Sequence, residues 1–381
     1  ISASVLVYLI SRDMHLALAF LVIACPGALV AAAPVAMIAG LGSSARRGVL
    51  IKGGERLERI AGIDTVAFDK TGTLTLGRPR VVAVDAFEGS TPQQVLAAAA
   101  SAELRSEHHL ASAILARAEA DGVDPLPAHD WDLRPGQGVV AVTEDGRQAA
   151  VGNTALMKAL GAAVSPEQLA AVESREAEGE TAALVSLAGR AIGLIGIADE
   201  PRPDAAMAIT ALRDAGIDRI VMLTGDNRRA ALHIGAVLGI HSDHIRAGLM
   251  PDEKVGAIRD LQATGARVAM VGDGINDAPA LATADVSIAM GASATRAAME
   301  AADIALMSNN LMRIPHAMSH SRRILRVVRQ NVALAVGVVV FLLAGVLAGR
   351  VHLASGMAVH EASILAVTLN GMRLLKQPRR G

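Results

Sequence analysis

Asp69-Lys70-Thr71-Gly72-Thr73-Leu74-Thr75, entered from the apolar run Thr65-Val66-Ala67-Phe68, decides how the rest of the chain is read. A β-branched and aromatic run of that length predicts a buried strand, which delivers the Asp69 carboxylate at its C-terminal end. At such an end, loops and a helix N-terminus gather phosphate. Gly72 and the hydroxyls beside it suit a tight turn whose backbone N–H groups approach an anion closely, and aspartate is a competent covalent nucleophile toward phosphoryl groups. The alternative is an ordinary strand closed by an Asx turn, against which the length of the polar run argues.

Two later segments repeat the pattern. Arg219-Ile220-Val221-Met222-Leu223 leads into Thr224-Gly225-Asp226, and Arg267-Val268-Ala269-Met270-Val271 leads into Gly272-Asp273-Gly274-Ile275-Asn276-Asp277. Both set polar groups where an apolar strand stops, the ligand crevice of an open parallel sheet. Asp273 and Asp277 bring hard oxygen ligands suited to Mg²⁺ holding a phosphate, and Lys254 offers a point positive charge for phosphoryl oxygens. Taken singly, each reads equally as a solvated turn or face residue.

Between the first strand and this block lies a segment, 81–198, of about 120 residues, too long for a loop and large enough for an inserted domain. Helical patterns at 92–104 and 109–121 precede strand-like runs near 139–143, 181–187 and 191–197. Gly136-Gln137-Gly138 and Gly152-Asn153, with Glu103, Glu107 and His108, are candidates to shape a purine pocket; ordinary turns and a surface histidine are the plainer reading.

The flanks have another character. Of the 381 residues, 52% are hydrophobic, and the mean hydropathy is +0.40, above an ordinary soluble protein. Residues 15–42 carry no charge apart from a possible His15 proton, more than the roughly 20 residues that span hydrocarbon. Inside sits Ala24-Cys25-Pro26-Gly27, with a second proline at Pro34. Each proline removes an N–H and clashes with the carbonyl four residues back, so Val22 and Val30 are expected to hold freed carbonyls where water is absent. A broken membrane helix carrying a thiol reads as an ion site for a transition metal, or as a kinked helix with an inert cysteine.

Arg46, Arg47 and Lys52 place the end of this span on the cytoplasmic side, with Ser11-Arg12-Asp13 facing outward. Two further spans are expected at 331–349 and 352–375. Arg322, Arg323, Arg326 and Arg329 precede the first, and Arg373, Lys376, Arg379 and Arg380 end the second, on the same side as Arg46. The last span contains His360-Glu361, an ionisable pair costly in lipid and so a functional candidate, unless 352–361 belongs to a looser outward-facing segment. Ser4 to Ile10 is too short to cross a bilayer and reads as the end of a severed helix. Net charge is −1, from 36 basic and 37 acidic side chains, which gives no global field for nucleic acid. Cys25, the one cysteine, has no intramolecular disulfide partner.

In this order the segments resemble the heavy-metal-translocating P-type ATPases. The resemblance rests on Cys25-Pro26, the Asp69 run, Ser106-Glu107-His108, Gly136-Gln137-Gly138, Val151-Gly152-Asn153, Asp199-Glu200-Pro201-Arg202, Thr224-Gly225-Asp226, Lys254, and Gly272 to Asp277. It implies a multidomain α/β protein with transmembrane helices. A haloacid dehalogenase-like Rossmann phosphorylation domain, at 49–80 and 199–318, carries an inserted α+β nucleotide-binding domain at 81–198, with membrane helices at 1–48 and 319–381. It implies that Asp69 forms an aspartyl phosphate, that Thr224 and Lys254 steady the phosphoryl group, and that Asp69, the Thr71 carbonyl and Asp273 bind Mg²⁺. Asp277 supports the site, and Lys70, Gly225 and Asp226 belong to its catalytic motifs. Glu103, His108, Gly136, Gly138, Gly152 and Asn153 would hold ATP, and Cys25, His360 and Glu361 the transported metal.

There are departures. His108-His109 replaces the family's His-Pro. Gly27 stands where a second cysteine often follows the proline, which weakens a case for Cu(I) and favours a divalent transition metal among Zn²⁺, Cd²⁺, Co²⁺, Ni²⁺, Mn²⁺ and Fe²⁺. No Thr-Gly-Glu actuator loop is present, so the expectation is a portion of an exporter that partners membrane lipid, a transition-metal ion and absent N-terminal actuator and membrane segments. The expected location is the plasma (inner) membrane, with the large loop cytoplasmic. The rivals are a membrane-tethered phosphatase of the haloacid dehalogenase type and a passive metal channel or inactive relic.

Overall fold

The computed structural model describes residues 2–106, 109–274, 277–291 and 296–375, with only the backbone of Ala3, His109, Arg296 and Ala297. The chain divides into two compact units, one of residues 64–284 and 293–298, the other of residues 1–63, 285–292 and 299–381.

The first unit is built on two sheets. In one, Val268–Gly272, Thr65–Asp69, Arg219–Leu223 and Ile245–Arg246 lie side by side in that order, all parallel. Every residue of Thr65–Asp69 and Val268–Gly272 is buried, as a parallel sheet covered on its faces requires. Ala257, Ile258 and Leu261 of the helix Pro251–Ala263 pack on Ala67, Val221 and Met270. The register pairs Phe68 with Val271 and Asp69 with Leu223. Asp69, Thr224 and Asp273 therefore emerge along one edge, as the apolar runs predict.

The second sheet interrupts the first. Arg80–Ala86, Arg190–Ala198, Thr181–Leu187, Gln148–Gly152, Gly138–Thr143 and Ala128–Arg134 are neighbours in that order, all antiparallel. Strand alternation sends Ala141, Val151, Val185 and Ile195 to the face covered by Pro92–Glu103 and His109–Ala120. Val140, Ala150, Leu184 and Leu194 meet Leu156 and Met157 of Thr154–Ala159 and Val172 of Pro166–Ala177 on the other. The chain enters and leaves this sheet through one pair of strands, Arg80 lying opposite Ala198. Outside the sheet the two threads stay joined: the Leu76 N–H donates to the Glu200 carbonyl at 2.9 Å, and the Arg202 N–H to that of Leu74 at 2.9 Å.

The other unit gathers the apolar helices Ser2–Ser11, Met14–Ile23, Gly27–Arg46, Arg313–Leu347 and Leu353–Met372. It also holds the strands Val49–Ile51, Ile304–Leu306 and Val286–Met290, paired in that order. By length and composition, Met14–Arg46 and Arg313–Leu347 can each cross a membrane. Small residues let the helices close: a Cβ on Gly371 would sit 2.9 Å from Val35, and one on Gly40 2.4 Å from Ile324. Asn331, wholly buried, donates to the carbonyls of Ala32 and Val367 at 3.2 Å each and accepts from Asn370 at 2.8 Å, joining three helices. Phe341, Val340, Leu365 and Ile38 remain exposed, an apolar exterior suited to lipid.

Two expectations are corrected. The Val22 carbonyl is not left free by Pro26, because the Cys25 N–H donates to it at 3.2 Å, tightening the helix end by one residue. Residues 353–361 are not a looser segment but part of one helix through Met372.

Candidate functional site

Asp69 ends its strand 5% exposed, and Lys254, on the helix Pro251–Ala263, reaches it from the side. The Lys254 ammonium donates to Asp69 Oδ1 at 2.6 Å and to Asp277 Oδ1 at 2.5 Å. All three groups are buried. Burial, then the Asp277 carboxylate, pushes the Asp69 carboxyl up to about 7 against the pull of Lys254. Burial draws Lys254 down, but Asp69 and Asp277 outweigh it and leave the ammonium raised. One Asp69 oxygen is thus committed to Lys254, and the other is the candidate nucleophile.

The turn after Asp69 is shaped by contacts distant in sequence. Gly72 adopts φ +74°, and a Cβ there would lie 3.0 Å from Asp273 Oδ2, so glycine is required. Arg202, buried, donates to the carbonyls of Thr73 and Gly72 at 2.8 and 2.7 Å. Thr75 Oγ1 donates to Asp199 Oδ2 at 2.5 Å. The sequence pattern marked Asp199 to Arg202 without giving them a task; they fasten the turn. Lys70 forms an ion pair with Asp226, and the Thr224 hydroxyl accepts from the Asp226 N–H at 3.1 Å. A Cβ on Gly225 would meet the Leu249 carbonyl at 3.2 Å. Two groups thus meet at the end of the Asp69 strand: Lys254 with Asp69 and Asp277, and, beginning at the next residue, Lys70 with Asp226 and Thr224.

A hard dication fits these residues. Asp277 and Asp273 both add negative potential at Asp69, opposed by the Lys254 ammonium. The donor set of Asp69, Asp273 and the Thr71 carbonyl is all oxygen, the chemistry Mg²⁺ requires.

The inserted sheet carries a cavity of about 380 Å³ lined by Glu103, Leu110, Ile114, Gly136, Asn153 and Ile197 among others, within the size range of small-ligand sites. Glu103 is 5% exposed, and its Oε2 lacks a hydrogen-bond partner among the described residues. Burial pushes its carboxyl up, against a hydrogen bond with Ser106. Gly136 turns at φ +72° with open space above it. Gly138, Gly152 and Asn153 line the same cavity and also act on the protein itself. A Cβ on Gly138 would sit 2.1 Å from the Val151 carbonyl, and one on Gly152 2.3 Å from that of Gln137, so both glycines let two strands touch. The Asn153 side chain caps a helix by accepting from the Ala155 and Leu156 N–H groups at 3.0 and 3.1 Å. It also donates to the Gly136 carbonyl at 2.9 Å. Glu107 and His108 lie outside the described residues. A larger cavity, about 580 Å³, is lined by Gly89, Arg147 and Arg190 among others; it has none of the singled-out residues and no orphaned polar atom.

In the helical unit, the break between Ile23 and Gly27 exposes Cys25. His360 is 7% exposed with Nδ1 unpartnered among the described residues, and its Nε2 lies 3.2 Å from where a Cβ on Gly27 would stand. Glu361 is exposed, as expected for the next residue on a helix, about 100° round from His360. No group of three metal-ligating side chains is assembled among the described residues.

Residues 63–285 match the haloacid dehalogenase-like hydrolase family. The chain is 41% identical over 377 residues to the manganese-exporting P-type ATPase of Mycobacterium tuberculosis, a match covering 98% of this chain and 52% of that protein. A zinc-transporting PIB-type ATPase solved in its E2.Pi state shares 36% identity with a TM-score of 0.78, over 98% of this chain and 62% of that one. The catalytic domain of the CPx-ATPase CopB-B shares 30% identity with a TM-score of 0.54, over 73% of this chain and 98% of that one. The chain spans about half the length of the curated relatives it matches. Since the likeness runs from the broken helix through the Asp69 turn to the last helix, the chain belongs to the heavy-metal-translocating P-type ATPases and, through its catalytic core, to the haloacid dehalogenase-like hydrolases.

Proposed function

We propose that this chain carries the phosphorylation, nucleotide-binding and part of the membrane machinery of a pump that uses ATP to export a divalent transition metal. The observation that carries the reading is the buried Lys254 bridging Asp69 and Asp277, in the same unit as a cavity with an orphaned Glu103 carboxylate. In this reading 49–80 and 199–318 form the phosphorylation domain, 81–198 binds nucleotide, and 1–48 and 319–381 lie in the membrane. The plasma membrane, with the catalytic part cytoplasmic, accords with the basic residues Arg46, Arg322 and Arg326 at one end of the apolar helices.

ATP enters with its base in the Glu103 cavity, Gly136 letting the backbone pass close. The free Asp69 oxygen attacks the γ-phosphorus, the bond to the β-phosphate bridging oxygen breaks, and ADP leaves. Water later attacks the aspartyl phosphate and releases inorganic phosphate. Lys254 neutralises developing charge, Thr224 positions the phosphoryl oxygens, and Arg202 holds the turn rigid through both steps. Asp69, Asp273 and the Thr71 carbonyl would hold Mg²⁺, which would supply positive charge to offset that of the phosphate. Cys25 and His360 are the proposed metal ligands. Manganese, named for one relative, and zinc, named for another, both accept imidazole nitrogen.

Transfer of ³²P from γ-labelled ATP into an acid-stable protein adduct is the test. The label is expected on the unsubstituted protein and absent from Asp69→Asn. Retention of label by that variant overturns the assignment. ATP protection of the 81–198 region from proteolysis separates a pump from a phosphatase, which needs no adenine pocket.

A further inference from the structure

We propose that a small monovalent anion of halide size binds between the C-terminal end of the helix Gly27–Arg46 and the first turns of Arg313–Leu347, held by Arg47 and Ser44 and enclosed by His320. The observations lie within the helical unit, away from every group assigned above. A cavity of about 40 Å³ is lined there by Ser44, Arg47, Arg313, His316, Ala317 and His320, with Val49. The last four lie on one face of a helix, at the i, i+3, i+4 and i+7 spacing. Ser44 is 3% and His320 7% exposed. Ser44 Oγ, Arg47 Nη2 and His320 Nε2 are all buried without a hydrogen-bond partner among the described residues.

One orphaned polar atom can be an accident of packing; the donors Ser44 Oγ and Arg47 Nη2 on a single cavity point to a shared partner, since buried polar groups are otherwise satisfied. The His320 ring donates through its other nitrogen to the Gly40 carbonyl, so Nε2 joins them as a donor only in the protonated ring, which a bound anion favours. The volume narrows what that partner is. A water-sized body needs roughly 10–15 Å³ by this measure, so the space holds about three and excludes a nucleotide or a phosphate ester with its organic substituent.

Charge decides between water and an anion. The lining contains the guanidinium groups of Arg47 and Arg313 and no carboxylate. Arg313 is already engaged, its Nε donating to Ser308 Oγ at 2.8 Å, while half-buried Arg47 presents a buried nitrogen without a hydrogen-bond partner among the described residues. The N-terminal end of the 35-residue helix adds about half a positive charge, and the C-terminal end of Gly27–Arg46 subtracts about the same. The guanidinium charge is left uncancelled, which favours an anion over neutral water.

The test uses the full-length protein in nanodiscs, melted at constant pH and ionic strength with bromide, chloride or gluconate as the only anion. A saturable rise of roughly 2 °C or more in Tm with either halide over gluconate is expected, and Arg47→Met should abolish it. Crystals of the unsubstituted protein grown in bromide should show an anomalous peak within hydrogen-bond distance of Arg47 Nη2. Equal melting in the three anions, a halide effect that survives Arg47→Met, or no anomalous peak at this cavity overturns the proposal. If Arg47→Met does not fold, the bromide peak in the unsubstituted protein decides alone.

Discussion

The Asp69 network and the break at Cys25 are both built from residues far apart in sequence, but they differ in how much of their chemistry is already closed. At Asp69 the charges meet partners inside one unit: Lys254 holds two carboxylates, Lys70 holds Asp226, and Arg202 fixes two turn carbonyls. At the helix break, Cys25 is exposed, His360 keeps a nitrogen without a partner among the described residues and Glu361 is exposed. Strand ends in a parallel sheet fix side-chain positions through the ladder register. Helices meeting at a proline fix them only through packing with their neighbours. The Asp69 network is therefore closed by its own residues, while the proposed ion site at the helix break is not.

The strongest challenge to this contrast is Asp69→Asn, which should lower phosphoenzyme formation by more than about 10³-fold, since Asp69 is the proposed acceptor of the phosphoryl group; ³²P labelling measures it. Next is Lys254→Met, which strands two buried carboxylates and should cost about 3 kcal/mol in urea unfolding. Adding Asp277→Asn to that variant should restore part of the stability but not the label. If Lys254→Met melts like the parent, the network is not the closed system described here.

Smaller effects bear on the other region. In the full-length pump, Cys25→Ala or His360→Ala should weaken the metal concentration needed to stimulate ATP hydrolysis by about 10- to 100-fold. Glu361→Gln should change it by less than about 3-fold, being exposed. A large Glu361 effect would redraw the site. The mildest test is pH. Because burial raises the folded-state pKa of Glu103 above its ordinary 4.5, the folded protein holds that proton longer than the unfolded chain. Nucleotide-free stability should then fall as pH rises from about 4.5 through the raised value. Glu103→Gln should remove that slope, as calorimetry across pH would register.

Much of the phosphorylation site was legible because each strand announces itself twice, as a short apolar run and as a polar stop: Phe68 then Asp69, Leu223 then Thr224. The strand Ala128–Arg134 was not, since His129, Asp130 and Asp132 face solvent and Asp130 turns at φ +51° beside a register shift. Arg202 belonged to a marked motif, yet its hold on carbonyls about 130 positions earlier leaves no local pattern. The glycines carry two readings at once. Gly138 and Gly152 read as pocket formers and do line the Glu103 cavity, and their close packing also records two strands in contact. Likewise, a proline predicts the loss of one hydrogen bond, not that the Cys25 N–H will shift to claim the Val22 carbonyl.

The pairing of Arg80 with Ala198, where the chain enters and leaves the inserted sheet, has an engineering meaning. Opposed residues of antiparallel strands have Cα atoms roughly 5 Å apart, a gap that a two-residue turn closes. The whole segment between them can be excised and the cut ends rejoined without stretching the parallel sheet, or circularised and produced by itself. The proposed nucleotide-binding and phosphate-transfer parts thus meet at a single cutting point, and chain surgery there would test whether the affinity of one separates from the reactivity of the other.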